Sequence, residues 1–129
     1  MELVRSFQSP EFARAYSFFL ALPTGTSAEE LRQRSGDAEA FAMVVSTTFE
    51  SIGVMVYRRI LPIEIVEELM GGTIVSFWGK LEAWIETLRE EQNRLDAHAW
   101  FQWLAAQLAQ REQQGSSQPA YVEHLHWRA

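Results

Sequence analysis

Few side chains in this 129-residue sequence carry the chemistry of a reaction centre, and Glu50 is the first to weigh. It is the only charged residue between Phe41 and Tyr57. A carboxylate buried in such a stretch has a raised pKa and can act as an acid or base. The plainer reading places Glu50 on a polar helix edge near Ser46 and Ser51, or in an ion pair with Arg58 or Arg59. Those two arginines are the only adjacent basic pair in the chain. Glu64, Glu67 and Glu68 read as a solvated acidic face.

The histidines are His98, His124 and His126. His124-x-His126, with Glu123 beside it, can chelate, but a held metal needs three or four ligands fixed by a fold. No metal and no cofactor is expected. The glycine-rich phosphate loops and the Gly-x-Ser-x-Gly nucleophile turn are absent. Gly71-Gly72-Thr73 reads as a turn between two helices, not an anion cradle.

Tryptophan is the compositional oddity, with five in the chain. Trp78, Trp84, Trp100 and Trp103 cluster in the sequence, and helical spacing puts Trp84 and Trp100 on core faces. Trp78 and Trp103 fall off those faces. Exposed indoles mark contact surfaces, whereas most large aromatics are simply buried. Trp78 and Trp103 therefore join Glu50, Arg58 and Arg59 as candidate binding residues. Tyr121, Leu125 and Trp127 stand out in the last ten residues, because a disordered tail is usually poor in such side chains.

The elements that must position these residues are helical. Ser9-Pro10-Glu11 is a helix start, and Phe12, Ala15, Tyr16, Phe19 and Leu20 give the first helix its apolar face. Ser27-Ala28-Glu29-Glu30 has capping-box form, and Ser35-Gly36 stops the short helix that follows. Asp37 caps a long third helix to about Arg59, with a stripe of Phe41, Val45, Thr48, Ile52 and Met55. A helix this apolar is expected to be surrounded by others, and Gly53 to let a neighbour approach closely. Pro62 opens a fourth helix, with Ile63, Val66, Leu69 and Met70 inward and Gly71-Gly72 closing it. Thr73 then starts a fifth, seamed by Ile74, Phe77, Leu81, Trp84 and Leu88. A sixth begins near Asp96, with Trp100, Phe101, Leu104 and Leu108 inward. The expected fold is all-α, a compact bundle of five to six helices around a central buried helix at 37–59. Residues 1–114 form the domain. Residues 115–129, opened by Gly115-Ser116-Ser117-Gln118-Pro119, form a flexible or docking tail.

Composition narrows the partners. A net charge of -6 argues against nucleic acid and anionic membrane. Met1 to Gln8 lacks a signal-peptide core, and no apolar run is expected to reach the ~18 residues of a span. A chain without cysteine fits the cytoplasm.

Five segments together resemble a family of bacterial proteins, the domain-of-unknown-function 4760 family. They are Pro10-Glu11-Phe12-Ala13-Arg14-Ala15-Tyr16, Thr48-Phe49-Glu50-Ser51-Ile52-Gly53-Val54, Ile60-Leu61-Pro62-Ile63-Glu64, Phe77-Trp78-Gly79-Lys80-Leu81 and Trp100-Phe101-Gln102-Trp103-Leu104. The resemblance implies a helical domain and carries no activity or catalytic residue. It also implies relatives with a hydrophobic, membrane-anchoring segment ahead of the domain, whereas this chain begins almost at the first shared motif. The expected function is a non-catalytic protein-interaction or homo-oligomerisation module, with a homodimer or a protein partner. The alternative is a small-molecule binder or enzyme with an interhelical pocket around Glu50.

Overall fold

Proline and serine set the first boundary. In the computed structural model, which describes residues 9–34, 36–115 and 119–129, the Ser9 hydroxyl accepts the Phe12 amide at 3.0 Å and caps helix α1 (Pro10–Leu20). The capping box forms before α2 (Ala28–Arg34): the Glu30 amide donates to Ser27 Oγ at 3.1 Å, and the Ser27 amide donates to Glu30 Oε1 at 3.4 Å. Ser35 and Met1 to Gln8 lie outside the described residues. The chain continues through α3 (Ala38–Tyr57), α4 (Ile63–Glu91), α5 (Ala99–Gln114) and the short α6 (Ala120–Glu123). Among the described residues there is no strand, so the all-α bundle expected from periodicity is the fold.

Helix α3 lies between α1 and α5 and buries Ala38, Ala42, Val45, Ser46, Phe49, Ile52, Gly53 and Val56. It also meets α2 and α4, so it is the central helix that its apolar composition predicts, with Met43, Thr47 and Ser51 left as an exposed stripe on its outer face. Its 20 residues, with a hydropathy of 1.5, also make it long and apolar enough by composition to cross a membrane, contrary to the expectation that no run would be. In this chain its apolar face serves the core.

Phe49 is the centre of that core. Its ring meets Phe12 at 6.1 Å, Phe77 at 6.2 Å and Phe101 at 5.4 Å, so one side chain joins α1, α3, α4 and α5. Tilted and edge-on ring pairs of this kind contribute about 0.5–1.5 kcal/mol each beyond the area they bury. Most residues of the expected inner faces are buried, but Tyr16, Phe41, Met55 and Trp100 are among those only half-buried, and Leu20 and Leu69 are exposed.

The break expected at Gly71-Gly72 falls one residue earlier: α4 is two helical limbs joined by a kink at Met70 (φ -157°, ψ 18°), and both glycines lie in the second limb, which runs to Glu91. Helix α5 holds both limbs, through the Arg111–Glu67 ion pair at 3.2 Å on one and Phe101 against Trp78 on the other. That tertiary support outweighs the roughly 1 kcal/mol that each interior glycine costs a helix. The true helix ends use other residues. At the end of α3 the Ile60 amide donates to the Met55 carbonyl at 2.9 Å and the Arg59 amide to Val56 at 3.0 Å, with Arg59 left-handed at φ 59°. At the end of α4, Asn93 takes the same place at φ 51°. Both are Schellman closures without glycine.

The glycines do their work by proximity. A Cβ on Gly53 would stand 2.9 Å from the Trp100 carbonyl carbon and closer still to its oxygen, whereas one on Gly72 meets nothing nearer than Glu112 Oε1 at 3.8 Å. Gly53→Ala should therefore destabilise the fold by about 2–3 kcal/mol through backbone overpacking. Gly72→Ala should be neutral or stabilise by up to about 1 kcal/mol. Paired urea melts of the two variants against the parent chain measure both effects.

Candidate functional site

Helix α5 begins without a cap of its own. His98 occupies the N-cap in a left-handed conformation (φ 56°, ψ 32°) and makes no side-chain capping bond. Glu50 supplies the acceptor from α3 instead. Its Oε1 takes the Phe101 amide at 2.7 Å, and its carboxylate also receives the Trp100 amide. These are the second and third amides of α5, the pair that an N-cap side chain normally satisfies. The negative charge also faces the positive end of the α5 dipole. One turn further along α3, Gly53 lets the Trp100 carbonyl settle against the helix backbone.

Arg89 closes the junction from α4. Its Nε donates to the Ala97 carbonyl and a terminal nitrogen donates to Gln102 Oε1, both at 2.9 Å. Burial pushes the Glu50 carboxyl above the usual range. The two amides and the Arg89 charge pull it down, and Asp96 adds a smaller upward push. Burial pushes the His98 imidazole down and the Arg89 charge assists, while a hydrogen bond with the Ser46 backbone opposes the shift. The His98 ring packs 6.3 Å from Trp84. Ser46 Oγ, Trp84 Nε1 and His98 Nδ1 are buried here without a hydrogen-bond partner among the described residues.

The same seating places an aromatic surface beside the junction. Tyr57, Trp100 and Trp103 form a triangle with ring separations of 4.6, 5.7 and 5.8 Å. Tyr57 is 55% exposed and the nearby Ile60 is 71% exposed, while the two indoles are half-buried. Arg58 and Arg59, both exposed, follow Tyr57 directly. The cation whose charge reaches Glu50 is Arg89 rather than either of these two. Trp78 stands apart from the triangle, half-buried and edge-on to Phe101 at 5.2 Å. Tyr121, Leu125 and Trp127 are 78%, 69% and 70% exposed.

The fold thus brings Trp103 against Tyr57, the residue that Arg58 and Arg59 follow in the chain, and gives Glu50 to the start of α5. Sequence reasoning missed Tyr57, Arg89 and His98. Only Tyr57 left a usable signal, as an aromatic residue at a helix end beside two arginines. A further depression of about 480 Å³ opens between α1 and the start of α3, lined by Glu11, Arg14, Asp37, Ala40, Phe41 and Val44, away from Glu50.

These features define a small all-α domain in which one helix is capped by another and the capped end presents aromatic rings to solvent. The chain belongs to the family described as Domain of unknown function (DUF4760), whose model matches residues 1–108. No curated protein and no solved structure matches it.

Two variants test the junction. Glu50→Gln keeps a carbonyl acceptor and should leave stability within about 1 kcal/mol, whereas Glu50→Ala strands two amides and should cost about 1–2 kcal/mol. For His98 the depressed pKa sets the sign. Stability is fully present above the ordinary histidine value of 6.5 and is lost as pH falls through the lower folded value. Asparagine tolerates the left-handed backbone and does not titrate. His98→Asn should therefore flatten the loss of stability below about pH 6.5, read from denaturant midpoints at a series of pH values.

Proposed function

We propose that this domain is a non-catalytic module that associates with a second copy of itself through the Tyr57–Trp100–Trp103 surface. The observation that carries the reading is the ring triangle itself: three contiguous aromatic side chains beside the exposed Ile60. Aromatic residues and arginine are the types enriched where proteins meet, and clustered rings bury large area at low entropic cost. Arg59 adds support. A non-glycine residue in a left-handed position costs about 1–2 kcal/mol, and the chain keeps an exposed arginine there, shortly after Tyr57, where glycine would close the helix more easily. Glu50 belongs to the foundation of the surface, since its carboxylate is engaged by two amides of α5. The cytoplasm is the compartment we propose, supported by a chain without cysteine.

The test is the molar mass in solution. Light scattering on the full chain should give twice the monomer mass of 14.8 kDa at micromolar concentration and above. Tyr57→Glu, which sets a carboxylate among the rings, should return the chain to monomer with its helical circular dichroism unchanged. A wild-type chain that stays monomeric across the whole concentration range removes this reading.

A further inference from the structure

We infer that the ligand of this aromatic surface is the C-terminal segment, residues 119–129, of the second copy, with the two copies exchanging tails about a twofold axis. The inference rests on the self-association reading and supplies its missing half.

The segment has the chemistry of a ligand. Pro119 starts α6, whose single turn is followed by another in which the Trp127 amide donates to the His124 carbonyl at 3.0 Å. Tyr121 and Leu125, four residues apart, are both exposed, as are Val122 and Trp127. Among the described residues, none covers these side chains. Solvent is a poor environment for four apolar groups within seven residues.

Charge fits the same occupant. Glu123 lies among the apolar tail residues, and the exposed Arg58 and Arg59 follow Tyr57 of the ring triangle in the chain. The tail also carries His124, His126 and Arg128. With the histidines neutral, Glu123 and Arg128 balance, and Arg128 can lie over an indole face as a cation–π partner. Ring meets ring at the centre, while the ionic pairs lie at the rim.

Area supports exchange over a one-sided contact. Tyr121 and Trp127 each bury about 150–250 Å² when covered. One tail then removes about 300–500 Å² of its own surface. Doubling for the area covered beneath it and again for the second tail gives about 1,200–2,000 Å² in total, the size of a stable specific interface. A single tail contact buries half of that and makes a weaker complex. Because the arrangement is isologous, it closes at two copies and does not propagate.

A complementation experiment tests this on full-length chains. One variant loses the surface (Tyr57→Glu). The other loses the tail side chains (Tyr121→Ser, Leu125→Ser and Trp127→Ser together) and leaves the domain untouched. Each alone should be monomeric by light scattering. Mixed in equal amounts, they should form a heterodimer, because the tail of the first chain still meets the surface of the second. It should dissociate at least tenfold more readily than the wild-type dimer, since one of two tail contacts is missing. If the tail variant stays dimeric alone, the tail is not the ligand and the inference falls, while self-association stands. A mixture that remains monomeric also overturns it. If the wild-type chain is itself a monomer whose rings are shielded by its own tail, seen as a change in tryptophan emission in the tail variant, exchange and self-association both fall.

Discussion

The seating of the α5 N-terminus on α3 is the interaction on which the rest of this structure depends. A helix that begins inside a protein exposes amides that must be satisfied. Here Glu50 reaches them from α3, and Gly53 removes the Cβ that would otherwise hold the two backbones apart. The carboxylate bears a desolvation penalty, and the amides, the helix dipole and Arg89 offset it. With α5 fixed at this point, Phe101 is directed into the core against Phe49, and its neighbours on the helix are turned outward. The aromatic surface follows from that register.

Helix α4 completes the arrangement through four consecutive residues with four different contacts. Phe77 joins the ring cluster with Phe19 and Phe49. Trp78 packs on Phe101. At Gly79 the backbone carbonyl accepts the Gly25 amide at 3.0 Å, and Thr24 lies where a side chain would point. Lys80 donates to the Phe19 and Leu20 carbonyls and so closes the open end of α1. At the far end of α4, Glu91 receives both terminal nitrogens of Arg32, which also pairs with Glu39 of α3. These last groups are exposed, so they orient α2 more than they stabilise the fold. Across the kink at Met70, α4 meets α5 from Glu67 through Trp78 to Arg89.

The half-buried acidic group in α3 thus serves as a helix cap in this protein. A raised carboxyl pKa in an apolar helix is also the mark of a general acid or base. What separates the two cases is the neighbourhood of the oxygen atoms. Glu50 Oε1 accepts an amide at the start of a helix, a geometry that orders a backbone. The reactive-looking residue and the aromatic surface are related, because the first holds the second in place.

Local rules in the sequence determined much of this. Serine, proline and capping-box spacing located the starts of α1 and α2, because those contacts close within four residues. Periodicity identified Ile74, Phe77, Leu81, Trp84 and Leu88 as a buried seam, and the lone glycine in α3 announced a close approach. Glycine punctuation placed the break in α4 within a residue of Met70 but not its form, a kink between two limbs that α5 holds together. The left-handed positions outside glycine went to Arg59, Asn93 and His98, and for Arg59 no local signal exists. The choice between Trp100 and Phe101 for the core was equally undecidable from spacing, because adjacent residues on a helix differ by about 100° and either can face inward. Only the position of α3 decides it. The tertiary structure also decided that Glu50 caps a helix about fifty residues away, since a capping acceptor is recognised by where its oxygen lies and sequence records only which residue carries it.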